Sequence, residues 1–383
     1  MKVLKTVTRM GLCIALLFLT STAFCESATA VRDTSAIQRV TIANTTINPT
    51  AHQTTGVDVF FAESGRATVR ILDRDGYPVR TLATDQAIKA GKTDWLWDGR
   101  SDDGAVVPDE AYSLKIDWHS GSKHATYFPG NAPAVMQSIP IRYYDRRGGT
   151  LLYALPQPSR VHVQSGSAVL DKHTNTAEGP VLKTIVNREP RAAGSIAEHW
   201  DGYDASGMIY VPDVPNFVIS IAATPLPENS VITIGNKKAS WFNGASRKAK
   251  SLFTYSARSH AHHAGLSAAA DLSPDLSIRP QSLAWSARER VWIATGAAVT
   301  FSVTPTGPAA ETFSREPGRL FNFVNYKLVG QQTPLTTSKI IIPTADLRCG
   351  TNTISVNWRS DYGAVAVNSI RVRLNRSGCR TTT

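Results

Sequence analysis

An internal repeat is the feature of this 383-residue sequence that most constrains its fold. Residues 56–71 align without a gap against residues 149–164. Downstream of each segment, a Trp-Asp-Gly motif lies at positions 97–99 and 200–202. A glycine precedes each tryptophan by six positions, and another follows it by seven. Because chance does not easily produce this spacing twice, the sequence predicts two copies of one structural unit.

The repeated unit has the pattern of an all-β domain. Short runs rich in Val, Ile, Thr, Tyr and Phe alternate with Gly, Asp, Asn and Pro, which favours β-sandwiches or barrels. In the first copy, a strand ending at Leu72 leads into the turn Asp73–Gly76, and Val79–Leu82 returns as its hairpin partner. Gly76 supplies the positive φ that such a turn needs. The second copy has a longer hairpin, with residues 174–180 as the added tip.

Each copy is expected to bury its tryptophan between two sheets. A Val-Pro pair ends a connection before the last strand, whose first ring, Tyr112 or Phe217, is expected to pack on that tryptophan. The structural core residues predicted in this way are Trp97, Gly99, Pro108, Trp200, Gly202 and Pro212.

This pattern resembles the Ig-like domain of the flagellar hook-capping protein family, a module of many exported bacterial surface and secreted proteins. The residues that carry the resemblance in the first copy are Asp73–Gly76, Val79–Leu82, Gly91, Trp97–Gly99, Asp103, Gly104, Pro108 and Tyr112. The second copy keeps Gly194, Trp200–Gly202, Gly207 and Pro212 but lacks the clear Asp-Gly turn. The resemblance implies two tandem immunoglobulin-like sandwiches, at residues 45–120 and 138–224, and says almost nothing about a ligand.

The remainder of the chain is predicted to hold a linker and a third β-domain. Residues 225–279 have the composition of a linker or extended loop, with a basic stretch at 236–250. Strand-like alternation resumes over residues 280–383. This last region is loosely similar to accessory domains of secreted proteins that handle carbohydrate, which implies a β-sandwich-like fold without defining a sugar site.

The N-terminal residues predict export. Lys2, Lys5 and Arg9 precede an apolar run at 11–19, and small residues follow at 21–23. The run is too short to cross a bilayer, which needs roughly 20 residues, so residues 1–23 are predicted to be a cleaved signal peptide. No transmembrane segment is expected after cleavage, and the mature chain would be periplasmic, displayed on the cell surface or secreted.

The cysteines agree with an oxidising compartment. Cys13 lies in the predicted signal, and Cys25 survives only if cleavage precedes it. The remaining pair, Cys349 and Cys379, is predicted to form a disulfide.

The net charge of +11 falls to +8 when the three basic residues of the signal are removed. Such a chain is drawn to anionic surfaces, including envelope polymers and acidic polysaccharide. We expect an envelope or surface partner and no nucleic acid, because no Lys/Arg stripe is interleaved with aromatics.

Catalytic signatures are missing from the sequence, which contains no nucleophile elbow, zinc-protease helix, phosphate-binding loop or dinucleotide fingerprint. No catalytic residue, cofactor or metal is predicted. His260, His262 and His263 could share a metal, but no cysteine or carboxylate accompanies them, so a polar loop is the favoured interpretation.

Trp95, Trp118 and Trp241 are candidates for ligand contact, with stacking on a sugar as the chemistry and ordinary packing as the alternative. The sequence therefore predicts a non-catalytic structural or binding protein. The alternative is a carbohydrate-binding or carbohydrate-processing protein with its ligand site in the C-terminal β-domain.

Overall fold

The computed structural model describes residues 36–171, 176–239, 251–252, 274–281, 283–307 and 310–375, without the side chains of 170–178. The predicted signal peptide, Trp241, the three clustered histidines and Cys379 lie outside these residues. Nearly all regular structure in the described ranges is β-strand, which confirms the predicted fold class. Within the same ranges, no helix is long and apolar enough to span a membrane.

The first unit, which we call module 1, is a sandwich of two sheets. Its strands are β1 Ile37–Ile42, β2 Thr46–Ile47, β3 Thr55–Phe61, β4 Gly65–Leu72, β5 Pro78–Ile88, β6 Gly91–Trp97, β7 Ala111–Ser120 and β8 Lys123–Tyr127, with 3₁₀ turns at Pro49–Ala51 and Pro129–Asn131. One sheet has the order β1-β3-β6, and the other contains β5-β4-β7 with β8 against β7. Alternating apolar residues of β3, β4 and β7 fill the space between the two sheets.

The second unit, module 2, repeats this arrangement. Its strands are β9 Gln137–Ser138, β10 Ile141–Tyr144, β11 Thr150–Leu155, β12 Ser159–Ser167, β13 Val169–Asp171, β14 Thr176–Glu178, β15 Val181–Arg191, β16 Gly194–His199 and β17 Phe217–Pro225, with a 3₁₀ turn at Val211–Asp213. Its sheets have the orders β10-β11-β16 and β15-β12-β17-β9. The small hairpin β13–β14 lies between β12 and β15, where the sequence predicts the longer hairpin.

Residues just after module 2 complete a sheet of module 1. Strand β18, Val231–Thr233, pairs parallel with β2 and antiparallel with β7. All three of its residues are buried. The linker predicted from residue 225 therefore begins with a strand of module 1, which a run of only three residues could not reveal.

The C-terminal unit is a third sandwich, and its first described strand begins at Asp275. Its strands are β19 Asp275–Gln281, β20 Ala284–Ser286, β21 Val291–Ala294, β22 Ala298–Thr306, β23 Gly318–Val324, β24 Lys327–Gln332, β25 Ser338–Pro343, β26 Gly350–Ser360 and β27 Val365–Leu374, with a helix at Ala310–Ser314 and a 3₁₀ turn at Thr344–Asp346. The sheet β19-β22-β25 packs on the wider sheet β20-β21-β27-β26-β23-β24. Phe301, Phe313 and Trp358 are buried between them.

Candidate functional site

The repeated Trp-Asp-Gly motif forms the same corner in both modules. Trp97 is 0% exposed and its indole Nε1 donates to the Arg100 carbonyl at 3.0 Å. Trp200 is 4% exposed and donates in the same way to the Tyr203 carbonyl at 2.9 Å. Both tryptophans therefore fill the core while satisfying their only polar atom.

The predicted ring contacts are also present. The Trp97 and Tyr112 rings meet edge to face with centroids 5.3 Å apart, and the Trp200 and Phe217 rings stack at 6.5 Å. In each module the strand that follows the corner, β7 or β17, is thus anchored on the tryptophan.

The turn after each corner contains one Ser–Asp hydrogen bond with the two residues exchanged. In module 1, Ser101 Oγ donates to the Asp103 carboxylate. In module 2, Ser206 Oγ donates to the Asp204 carboxylate at 2.8 Å. The second turn, which lacks the Asp-Gly pair of the first, therefore keeps the same bond with its donor and acceptor in swapped positions.

Gly99 and Gly104 of module 1 both have a positive φ but differ in the space around them, which allows a matched test. Gly99 has φ +69°, and a Cβ there would lie 2.1 Å from Pro49 Cγ; at Gly202 it would lie 2.3 Å from the Tyr210 ring. Gly104 has φ +83°, and a Cβ there would have no atom within 4 Å.

We expect Gly104→Ala to cost about 1–2 kcal/mol from backbone strain alone, and Gly99→Ala to cost more, as measured by chemical denaturation. Equal losses would contradict the close packing at Gly99.

The prolines that follow the two corners, Pro108 and Pro212, make different contacts. The Pro108 carbonyl accepts from the Tyr112 hydroxyl at 2.9 Å and from Thr233 Oγ1 of β18 at 2.7 Å. The Pro212 carbonyl instead accepts from Arg146 Nη2 at 2.7 Å. Pro108 therefore lies where the returning strand enters module 1.

A buried charged cluster joins module 1 to module 2. Arg160 of module 2 donates through Nη2 to Glu110 Oε1 of module 1 at 2.6 Å, and Arg74 Nη1 lies 3.4 Å from Glu110 Oε2. The backbone N–H of Ala111 also donates to Glu110 Oε1, at 2.7 Å. All three charged side chains are buried. Glu110 thus pairs with one guanidinium group from each module inside the interface, and removing one member of such a buried charge group is strongly destabilising.

The segment after module 2 reinforces this junction. Asn229 Nδ2 donates to the Val40 carbonyl at 3.2 Å and to the Tyr127 hydroxyl at 2.7 Å. Asn236 Nδ2 donates to the carbonyls of Val106 and Val107 at 3.0 and 3.2 Å. Residues on both sides of β18 are therefore hydrogen-bonded to module 1.

A side-chain amide joins module 2 to the C-terminal unit. The Val181 N–H donates to Asn357 Oδ1 at 2.8 Å, and Asn357 Nδ2 donates to the Val181 carbonyl at 2.8 Å. Asn357 is fully buried and satisfies the outer edge of strand β15 as a neighbouring strand would. Tyr326 packs nearby against the module 2 core, and burial raises its pKa.

We expect Asn357→Leu to loosen this second junction. The change leaves one backbone donor and one acceptor of Val181 without partners, and each such loss typically costs about 1–3 kcal/mol. Hydrogen exchange should show faster exchange of the Val181 amide, and chemical denaturation should show a loss of stability. The same substitution at the exposed Asn375 should leave the Val181 amide unchanged. We call the two hydrogen bonds between Asn357 and Val181 the Asn357 clamp. If the Val181 amide exchanged equally slowly in Asn357→Leu, the clamp would not be formed.

Titratable groups in module 2 serve structure. The Tyr153 hydroxyl donates to Glu198 Oε1 at 3.0 Å, and Arg191 Nε donates to the same oxygen at 2.7 Å. Burial, followed by the charge of Glu198, raises the pKa of Tyr153. Burial is the largest single effect on the pKa of Arg191 and lowers it, but the hydrogen bonds to Glu198 and Glu189 and the charges of these two carboxylates together outweigh it, so the net shift is upward. Burial likewise raises the pKa of Tyr144 to about 12. These groups therefore keep their protons at neutral pH, and Tyr153 and Arg191 hold fixed hydrogen bonds to Glu198.

The tryptophans predicted for ligand contact lie in or beside the module 1 core. Trp118 is 2% exposed, so the packing alternative describes it and no ring face is available to a ligand. Trp95 is half-buried, meets Phe61 edge to face at 6.4 Å, and donates from Nε1 to Gln86 Oε1 at 3.0 Å. Trp241 lies outside the described residues.

An exposed aromatic pair occurs instead in the C-terminal unit. Trp285 of β20 lies directly opposite Trp292 of β21, with ring centroids 5.0 Å apart. Trp285 is 45% exposed. The sequence pattern of residues 280–383 predicts strands but not this exposed pair, because exposure depends on how far the opposing sheet extends and not on the local pattern.

No group of three or more metal-binding side chains occurs in the part of the chain that the structure describes. A small cleft in module 1 is lined by residues 37–40, Thr126, Tyr127 and Glu228. Its charged side chains are those of Arg39 and Glu228.

The comparisons with known proteins agree with the fold. Residues 44–122 match the model of the FlgD Ig-like domain, so module 1 is similar to that domain over about a fifth of the chain. No curated protein matches this sequence. Module 1 is therefore an Ig-like domain.

Similar solved structures include fibronectin(III)-like modules and a bacterial adhesin. Fibronectin(III)-like modules of Clostridium thermocellum CbhA are 10% identical, with 90% of this chain and 98% of theirs covered and a TM-score of 0.21. A bacterial ice-binding adhesin is 12% identical, with 88% and 98% covered and a TM-score of 0.20. TM-scores this low do not show how the three units of this chain are arranged or what the chain does. The contacts within the chain are the evidence for both.

Proposed function

We propose that this chain is an exported, non-catalytic binding scaffold in which two Ig-like modules and a C-terminal sandwich are locked together to present a surface to the cell envelope. The observation that carries the proposal is the buried cluster of Arg74, Glu110 and Arg160, which crosses the junction between the modules. Strand β18 and the Asn357 clamp support it, because each joins units that lie far apart in sequence. A chain of independent binding domains would not need such junctions.

The proposal includes the compartment and the domain plan. Residues 1–23 direct export, module 2 is a second copy of the Ig-like domain, and Cys349 pairs with Cys379. The matching corners at Trp97 and Trp200 support the second copy, and the basic net charge supports attraction to anionic envelope polymers.

Cell fractionation with an envelope-binding assay tests this function. The full chain should leave the cytoplasm and lose residues 1–23, whereas a chain lacking them should remain inside. The exported protein should sediment with isolated envelopes at low salt and be released at high salt, since charge attraction is screened. Retention in the cytoplasm, or a soluble protein with no envelope binding at either salt concentration, would contradict the proposal.

A further inference from the structure

The exposed tryptophan pair of the C-terminal unit lies on a part of the sheet that the opposing sheet does not cover. The wider sheet has six strands and the sheet packed on it has three. Strands β20 and β21 are at the overhanging edge, and β21 pairs with β27 through Trp292 and Val372. Val372 belongs to the core, so Trp292 points to the same side and is half-buried there. Trp285 extends this apolar surface outward into solvent.

The geometry of the pair is that of a rigid aromatic platform. The core holds Trp292 in place, and Trp292 in turn supports Trp285 across the two strands at a centroid distance of 5.0 Å. An aromatic surface that is already ordered loses little conformational freedom when it binds. The two ring planes are inclined by 53°, so they cannot lie together on a flat crystalline face. They suit a single, twisted polymer chain.

The charged residues beside the two tryptophans narrow the class of ligand that the platform can bind. The turn at residues 287–290 is exposed and carries Arg288 and Arg290. Glu289, the acidic residue between them, is ion-paired with Arg373. The two arginines therefore give the platform a positive border. Over residues 275–375, eleven Lys and Arg outnumber six Asp and Glu.

We propose that Trp285 and Trp292, together with Arg288 and Arg290, bind an anionic polysaccharide. Indole faces stack on the apolar faces of sugar rings, and guanidinium groups pair with carboxylates in a planar, two-pronged geometry. A uronic-acid polymer presents both features on one chain. This inference goes beyond the scaffold function: it assigns a ligand class to one surface, and the locked junctions do not depend on it.

Affinity electrophoresis of the full mature chain through gels containing polygalacturonate or dextran tests the site. We expect polygalacturonate to retard the wild-type protein and dextran to leave its mobility unchanged. Trp285→Ala should weaken binding to polygalacturonate at least tenfold. The double variant Arg288→Gln, Arg290→Gln should also bind more weakly and should lose most of the salt dependence of binding. Leu335→Ala, which removes another exposed apolar side chain of the same unit, should bind as the wild type does.

Three outcomes would overturn the inference. These are no retardation of the wild type by polygalacturonate, equal retardation by dextran, or full binding by Trp285→Ala. Because Trp285 is partly in solvent, its alanine variant should fold as the wild type does, and an unchanged denaturation curve checks this. Glu110→Gln, which disturbs the junction between modules 1 and 2, should still bind polygalacturonate. A failure of the glycan site can therefore be distinguished from a failure of the locked scaffold.

Discussion

Glu110→Gln should lower the free energy of unfolding of the joined modules by about 3–5 kcal/mol, the usual loss when one partner of a buried charge group is removed. Glutamine keeps a side-chain oxygen that can accept from the Ala111 N–H, so the change isolates the charge. Arg74 and Arg160 would then each lose the ion pair with Glu110, in an interface where both guanidinium groups are buried. Chemical denaturation followed by tryptophan fluorescence measures the effect.

Glu63→Gln is the matched control for this prediction. Glu63 also pairs with a cation, Lys123, at 2.8 Å, but both side chains are largely exposed. Surface pairs of this kind contribute about 0–1 kcal/mol. A loss of similar size in both variants would show that the Glu110 cluster is no more important than a surface ion pair, and would contradict its role as the junction.

Trp97→Ala should destabilise module 1 by about 3–5 kcal/mol, because it removes a large, fully buried side chain and leaves a cavity. It also leaves the Arg100 carbonyl without its indole donor. Trp200→Ala should have a comparable effect on module 2, since the corner is the same. Chemical denaturation monitored by far-UV circular dichroism is suited to both variants.

Trp285→Ala is the control for Trp97→Ala, because it removes a side chain of the same size from the surface. Its side chain is partly in solvent, and substitutions of this kind usually change stability by within about 0.5 kcal/mol. If Trp97→Ala and Trp285→Ala were equally mild, the buried corner would not be the structural centre of module 1.

The corners of the two modules could be predicted from the sequence because their geometry is local. Each Trp-Asp-Gly motif, its turn glycine and its ring partner lie within about twenty residues, and the repeat exposes the spacing. Local turn chemistry and core burial then fix the same arrangement twice. The exchanged Ser–Asp hydrogen bond is equally local, but the residue types alone did not predict it.

The junctions could not be predicted, because their partners are distant in sequence. Glu110 and Arg160 are fifty residues apart, and neither lies in a distinctive motif. Asn357 meets Val181 across 176 positions. Strand β18 is too short to show a strand period of its own. The exposure of Trp285 depends on the widths of two packed sheets, which no local pattern encodes.

The distance between modules 1 and 2 in solution tests the locked scaffold most directly. Nitroxide labels at Ala87→Cys in module 1 and Ala197→Cys in module 2 occupy exposed strand positions away from the junction. Pulsed electron paramagnetic resonance should give one narrow distance distribution for the otherwise unaltered chain, and a broader one after Glu110→Gln. A broad distribution in the chain that retains Glu110 would mean that the modules move independently, and the account of a locked scaffold would be wrong.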